Sequence, residues 1–246
     1  MGSFAGMAAL TWISGASAGI GQALVATVPW EGRVIGISRR PPGGVEHLEA
    51  DLADPAGWET VGASFRSEVE AARWDRVVFV HAAGTLDPIG FAGEVDDDAY
   101  RDNVVLNSAA PQILGHHFLA AVARLDGVAR HLVHLTSGAA SSVYPGWSSY
   151  GAAKAAIDQW TRNAGAEQDR RGGTQVLAVA PGTVDTAMQA RMRDTSEHDF
   201  PARAKFVELH RQGRLSDAHD VARRIWSLLD RHLDNGAVVD LRQLRA

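Results

Sequence analysis

Two kinds of hydrophobic pattern alternate along this chain. Short apolar runs, rich in β-branched residues, are separated by longer segments whose apolar positions recur at three- and four-residue steps. The first kind predicts buried strands and the second amphipathic helices. The strands are Ala9 to Ser14 (ALTWIS), Arg33 to Ser38 (RVIGIS), Val77 to Val80, Val128 to Thr136, Thr174 to Ala180 (TQVLAVA) and Gly236 to Leu241 (GAVVDL), with Val45 to Leu48 a weaker one. A helix over Gln22 to Val28 stops at Pro29, which cannot continue the ladder. Asp54 and Pro55 start a second, to about Ala72, as N-cap and first helical residue. Trp58, Val61, Phe65 and Val69 are its buried stripe. Asp96 to about Arg124 is helical with a break around Ala110-Pro111. Ser148 to about Arg171 ends at Gly172-Gly173. Ser216-Asp217 caps a last helix carrying Val221, Ile225, Leu228 and Leu229. Strand and helix in alternation predict an α/β fold: a doubly wound parallel sheet of about seven strands with helices on both faces, a single domain over residues 1–246. Residues 187–213, charge-rich and interrupted by Pro201, read as a lid or substrate loop.

Composition narrows the partners. The 246 residues carry a formal charge of −5 with no basic block, which argues against a nucleic-acid partner. There is no cysteine, so disulfide and thiolate chemistry are excluded. No apolar run reaches the roughly 20 residues that span a bilayer. Residues 1–6 lack the basic and apolar regions of a signal peptide and read as a short flexible lead-in, so the expected place is the cytoplasm. The histidines do not suggest a metal. His116 and His117 diverge on a helix, and His131 and His134, an odd step apart, face opposite sides of a strand.

Chemistry enters at three places. Gly15-Ala16-Ser17-Ala18-Gly19-Ile20-Gly21 lies between a strand and a helix. Its glycines permit a tight turn and close approach of a pyrophosphate to a helix N-terminus, so the fold reads as Rossmann-type. Arg39 and Arg40 follow the second strand, where the adenosine ribose lies in such folds. Two arginines and no acid there favour a 2′-phosphate, hence NADP(H); the alternative is a pair of solvated surface arginines. Tyr150 and Lys154, four apart on a helix, share a face. A cation beside a phenol lowers its pKa, but about 3 units takes about 4 kcal/mol. One exposed ammonium gives roughly 1 kcal/mol, so the pair needs a desolvated cleft and a second positive charge.

Taken together, these residues resemble the short-chain dehydrogenase/reductase family over essentially the whole chain. Ser14-Gly15-Ala16-Ser17-Ala18-Gly19-Ile20-Gly21 is similar to its cofactor motif, with Ser14 keeping the hydroxyl of the usual threonine. Asp51, next to Leu52, matches its adenine-contacting acid, and Ala83-Gly84 the end of its Asn-Asn-Ala-Gly motif. Asn107, Ser137, Tyr150 and Lys154 match its catalytic tetrad. Pro181-Gly182 and Thr186, with Val184 between them, match the loop that holds the nicotinamide. Ala82 stands where the family usually has an asparagine that ties the fourth strand to neighbouring backbone, and His81 where it often has another. Their absence bears on rigidity there. Tyr144 to Tyr150 and Pro181 to Gln189 look most like the benzil and sepiapterin reductase branches.

The resemblance implies an NADPH-dependent reduction of a ketone or vicinal diketone. Tyr150 would give its proton to the carbonyl oxygen, and Ser137 would donate a hydrogen bond to it. Lys154 would lower the Tyr150 pKa and bind the nicotinamide ribose, and Asn107 would hold a water linking Lys154 to solvent. The oxidised nicotinamide would be the second positive charge. Two alternatives stay open: an NAD-dependent alcohol dehydrogenase working oxidatively, and a dinucleotide sensor without catalysis. Ser137, Ala139, Tyr144, Trp147, Tyr150 and Met188 are the expected substrate pocket. Together with Met192 and Phe206 its aromatic and apolar members suit a bulky apolar carbonyl, unless Trp147 and Phe206 only pack the loops. The family's habit of pairing through long helices implies a homodimer or homotetramer, with Asn107 to Arg124 and Ser148 to Arg171 as candidate contacts.

Overall fold

The computed structural model describes residues 8–244. The expected lead-in over residues 1–6 lies outside them. Strands β1 (Ala9–Ser14), β2 (Gly32–Ser38), β3 (Glu46–Glu49), β4 (Arg76–His81), β5 (Ala129–Leu135), β6 (Gln175–Ala180) and β7 (Val238–Asp240) form one sheet in the order β3-β2-β1-β4-β5-β6-β7. Every pairing is parallel. The expected Rossmann-type doubly wound sheet is therefore the observed one. All six residues of β1 and of β4 are buried, as expected of central strands covered on both faces.

Helices α1 (Gly19–Ala26), α2 (Pro55–Ala71), α3 (Asp97–Val104), α4 (Ala110–Val122), α5 (Ser148–Asp169), α6 (Ala187–Asp194), α7 (Arg203–Arg211) and α8 (Ala218–Leu228) complete the order. Residues of α2, α4 and α5 cover one face over Trp12, Phe65, Phe79 and Phe118. Trp12 meets Phe65 edge-on, with ring centroids 5.0 Å apart at 87°. That geometry adds about 1 kcal/mol to the area buried. Residues of α1 and α8 cover the other face over Ile13, Val80, Val133 and Leu177. Asp54 caps α2 by accepting from the Ala56 N–H, and Asp217 caps α8 from His219 and Asp220.

Two expectations change. The break expected at Ala110-Pro111 is instead a π-turn over Val105–Ala109 joining α3 to α4 without interruption. Pro111 has no N–H to close a normal turn, and a widened turn absorbs the loss. Residues 187–213 hold two helices, α6 and α7, on either side of Pro201. Their charges mask a stripe, Met192, Phe206 and Leu209, that joins a third apolar cluster beyond the carboxyl ends of the strands. Among the described residues, no helix is long and apolar enough to cross a membrane, and no cluster of three His, Asp or Glu could hold a metal.

Candidate active site

The strands end level. Ser14 pairs with Ile37 of β2 and with His81 of β4, and His81 pairs with His134 of β5. The strand order reverses between β1 and β4, and a crevice opens outside the carboxyl ends at such a point. Ser14 closes its floor. The Ser14 hydroxyl accepts from the Ala82 and Ala83 N–H groups at 3.0 and 3.1 Å and lies 3.1 Å from His81 Nδ1. A hydroxyl has two acceptor sites and one donor, so its proton goes to Nδ1 and His81 carries its own on Nε2. The tie expected to be missing without an asparagine at position 82 is thus made from β1.

The turn between β1 and α1 is shaped for close approach. Gly15 has φ +68°, and a Cβ on Gly21 would lie 2.2 Å from the Gly15 carbonyl oxygen. No side chain caps α1, and its first turn holds no acid. The orphan N–H groups and positive dipole end are therefore left for an anion. Ser17, Gly19 and Ile20 are partly exposed there. Across the turn, Thr186 Cγ2 would lie 3.4 Å from a Cβ on Gly19. This brings the Pro181-Gly182 loop against the glycine turn. An uncapped helix end behind a glycine bed fits a pyrophosphate-containing dinucleotide.

Tyr150 and Lys154 are one turn apart on α5, and both are buried. Burial pushes the Tyr150 phenol up from its usual value, and a hydrogen bond with Ser137 pulls it part of the way back. Burial pulls the Lys154 ammonium down to about 8, opposed by the Asp158 carboxylate. Lys154 Nζ donates to the Leu135 carbonyl at 2.9 Å and sits 5.6 Å from the centre of the Tyr150 ring. The desolvated cleft is present, and in the protein without the dinucleotide's charge burial holds the Tyr150 phenol above its usual value. Ser137 follows β5, and its hydroxyl accepts from the Ala139 N–H at 3.2 Å.

Asn107 lies in the π-turn with no exposure, not on the surface where a mid-helix asparagine is usually found. Its Oδ1 accepts from the Thr85 N–H at 3.0 Å and its Nδ2 donates to the Thr85 carbonyl at 2.8 Å. A Cβ on Gly84 would lie 2.8 Å from that Oδ1 and 3.9 Å from Lys154 Nζ. Asn107, Ala83-Gly84 and Lys154 therefore meet at one spot. Behind it His81 and His134 are fully buried, with ring centroids 6.0 Å apart. Burial holds both well below the usual histidine range, His134 at about 3.

The remaining predicted residues surround this centre. Arg39 and Arg40 are exposed after β2, and an Arg39 Nη lies 3.9 Å from Asp51. Leu52 and Val184 have buried side chains, in the α2 and α8 layers respectively. Trp147 stacks on Phe200 at 4.4 Å and 23°, with Phe206, Tyr144 and Tyr150 around them. Trp147 and Phe206 are buried in one apolar cluster, to which Ala139 also belongs. Met188, on α6, is 37% exposed. Phe200, at the centre, was not legible in the sequence: it sits before Pro201 in a stretch with no periodicity. A Cβ on Gly146 would lie 2.2 Å from the Asp199 carbonyl oxygen, and this close fit carries Phe200 onto Trp147.

Comparison with known proteins is consistent with this geometry. The sequence profile described as short chain dehydrogenase matches residues 9–197. This chain belongs to that family. Its members are oxidoreductases that use a nicotinamide dinucleotide. A benzil reductase ((S)-benzoin forming) of Bacillus subtilis (strain 168) is 32% identical over 237 residues, 94% of this chain and 97% of that protein. A sepiapterin reductase of Rattus norvegicus is 29% identical over 250 residues, 93% and 94% of the two chains. Among solved structures, the KRED1-Pglu enzyme superposes with a TM-score of 0.77 at 25% identity, covering 94% of this chain and 99% of that one.

Proposed function

We propose that this short-chain dehydrogenase is an NADPH-dependent carbonyl reductase acting on a ketone or vicinal diketone. The observation that carries the reading is a buried Tyr150, one helical turn from a buried Lys154, with Ser137 beside its phenol and burial holding that phenol above its usual value. A reduction needs a proton donor at the carbonyl oxygen, whereas an oxidation needs a phenolate at the start of each turnover. Burial favours the first. Names of relatives that reduce benzil and sepiapterin point the same way.

Gly15, Ser17, Gly19, Ile20 and Gly21 would hold the pyrophosphate of the cofactor, Arg39 and Arg40 its 2′-phosphate, and Asp51 and Leu52 its adenine. Ala83, Gly84 and Lys154 would take the nicotinamide ribose, and Pro181, Gly182, Val184 (through its backbone) and Thr186 the nicotinamide. Bound there, the dinucleotide supplies a hydride. Tyr150 gives its proton to the carbonyl oxygen, and Ser137 donates a hydrogen bond to the same oxygen as charge develops. Lys154 holds a positive charge near the phenolate left behind. Asn107 fixes the π-turn on Thr85 and supports the route by which Lys154 is reprotonated. Tyr144, Trp147, Ala139 and Met188 shape the pocket, with residues 187–213 as its lid, in a single cytoplasmic domain. Pairing through α4 and α5 would give a homodimer or homotetramer, and a stable monomer by light scattering would rule that out.

Removing the general acid should cost about 10²- to 10⁴-fold in turnover. The test is Tyr150→Phe assayed by NADPH oxidation with aromatic diketones, with the Kd for NADPH and NADH measured on both proteins. The expected result is a kcat lowered in that range, with NADPH bound more tightly than NADH by wild type. Near-wild-type turnover in the variant, with NADPH bound, would refute the assignment.

A further inference from the structure

The turn after β7 brings a guanidinium beside Gly138, the residue after Ser137. Leu241 is buried, its N–H donates to the Ala180 carbonyl at 3.0 Å, and its own carbonyl accepts from Arg224. Those contacts fix where the next residue emerges. Arg242 then lies across the Pro181-Gly182 loop. A Cβ on Gly182 would come within 3.2 Å of Arg242 Cγ and 3.3 Å of its Cδ, and a Cβ on Gly138 within 3.3 Å of Nη2. Two glycines therefore make a bed for the side chain, and its tip ends beside the residue that follows Ser137.

Asp240 orients the fork. Its Oδ1 accepts from Arg242 Nε at 2.9 Å and its Oδ2 from Nη2. The far side of the guanidinium remains. Among the described residues, Nη1 has no hydrogen-bond partner, and the side chain is 61% exposed. An exposed ion pair of this kind contributes little to stability. Its value is directional, because a bidentate carboxylate fixes the plane in which the remaining N–H groups point.

We infer that Arg242 is a substrate-binding residue whose Nη1 donates to a second acceptor oxygen, on the carbon next to the carbonyl that is reduced. The inference rests on the carbonyl-reductase reading and narrows its substrate to a vicinal dicarbonyl. Asp240 offsets the guanidinium charge, so the site offers an aimed donor and little net positive potential. That favours a neutral ketone oxygen over a carboxylate or phosphate. In the reaction one carbonyl carbon gains a hydride from reduced nicotinamide dinucleotide and its oxygen gains the Tyr150 proton. The neighbouring carbonyl is kept, its oxygen held by Arg242, and the product is an α-hydroxyketone plus oxidised dinucleotide.

The test compares benzil with deoxybenzoin, the same aromatic frame lacking one carbonyl. The ratio of their kcat/KM values is measured for wild type, Arg242→Met and Arg242→Lys. Intrinsic reactivity cancels when ratios are compared between proteins. A charge-assisted hydrogen bond supports an expected fall of about tenfold in Arg242→Met. Arg242→Lys, which keeps the stem over Gly182 and the charge but loses the fork, should fall less. Calorimetric Kd values for the two ketones on the complex with oxidised dinucleotide should shift by the same factor. An unchanged ratio in a variant that melts like wild type overturns the assignment, and if Arg242→Met does not fold, Arg242→Lys decides it. A wild type that reduces neither ketone would instead sink the reductase reading, leaving the calorimetric ratio to judge Arg242 alone.

Discussion

Burial changes the state of Lys154. Burial, opposed by the Asp158 carboxylate, brings the loss of its proton down to about 8 from the usual lysine range. If its charge supports the phenolate left by proton transfer, kcat/KM for reduction should be level below pH 8. Above pH 8 it should fall by up to about tenfold per unit. A pH–rate profile for a fast-reacting diketone checks this, and a level profile to pH 10 would remove the charged lysine from the mechanism. The spacing of Tyr150 and Lys154 was legible as a shared helix face. The direction of the tyrosine shift was not, since it depends on burial against Trp147, whose packing on Phe200 arises far along the chain.

At the level of elements, one side chain holds the junction of β1 with β4. The side chain of Ser14 holds the Ala82 and Ala83 N–H groups. Ser14→Ala would leave both N–H groups and His81 Nδ1 without this partner in a buried place. A cost of about 1–3 kcal/mol follows, lowering Tm by about 3–10 °C. Thermal melting followed by circular dichroism measures it, and an unchanged Tm would mean that the strand end is held by other contacts. The π-turn belongs to this scale too. Pro111 marked a disturbance in the helix, but not its outcome. A wide turn forms there because Asn107 finds both backbone groups of Thr85.

The whole molecule carries buried histidines that report on its stability. Burial holds His131 at about 4 and His134 at about 3, so both stay neutral in the folded protein when the unfolded chain would bind protons near 6.5. The unfolded state therefore takes up more protons between pH 6.5 and 4, and stability falls as pH drops through that window. The shift for His131 corresponds to about 3 kcal/mol by pH 4. Urea unfolding at pH 7 and pH 4.5 should show a lower midpoint at the acid end, and His134→Phe should reduce the difference. An equal difference in the variant would place the acid sensitivity elsewhere. His131 and His134 take opposite faces of β5, as their odd spacing requires. Which neighbours they meet there was beyond the reach of spacing.

The sequence by itself determined what depends on period and on neighbours in the chain: the strands and most helices, the caps at Asp54 and Asp217, the glycine turn, and Tyr150 and Lys154 on one face. Their side-chain directions follow from the backbone period alone. Only the tertiary structure decided what depends on distant contacts. It buried Asn107, His81 and His134 near Lys154, formed two helices within residues 187–213, raised the Tyr150 pKa, and laid Arg242 across Gly182 to Gly138. Burial and charge environment are sums over neighbours from many parts of the chain. No local pattern encodes them, and here they set the protonation states on which the proposed chemistry depends.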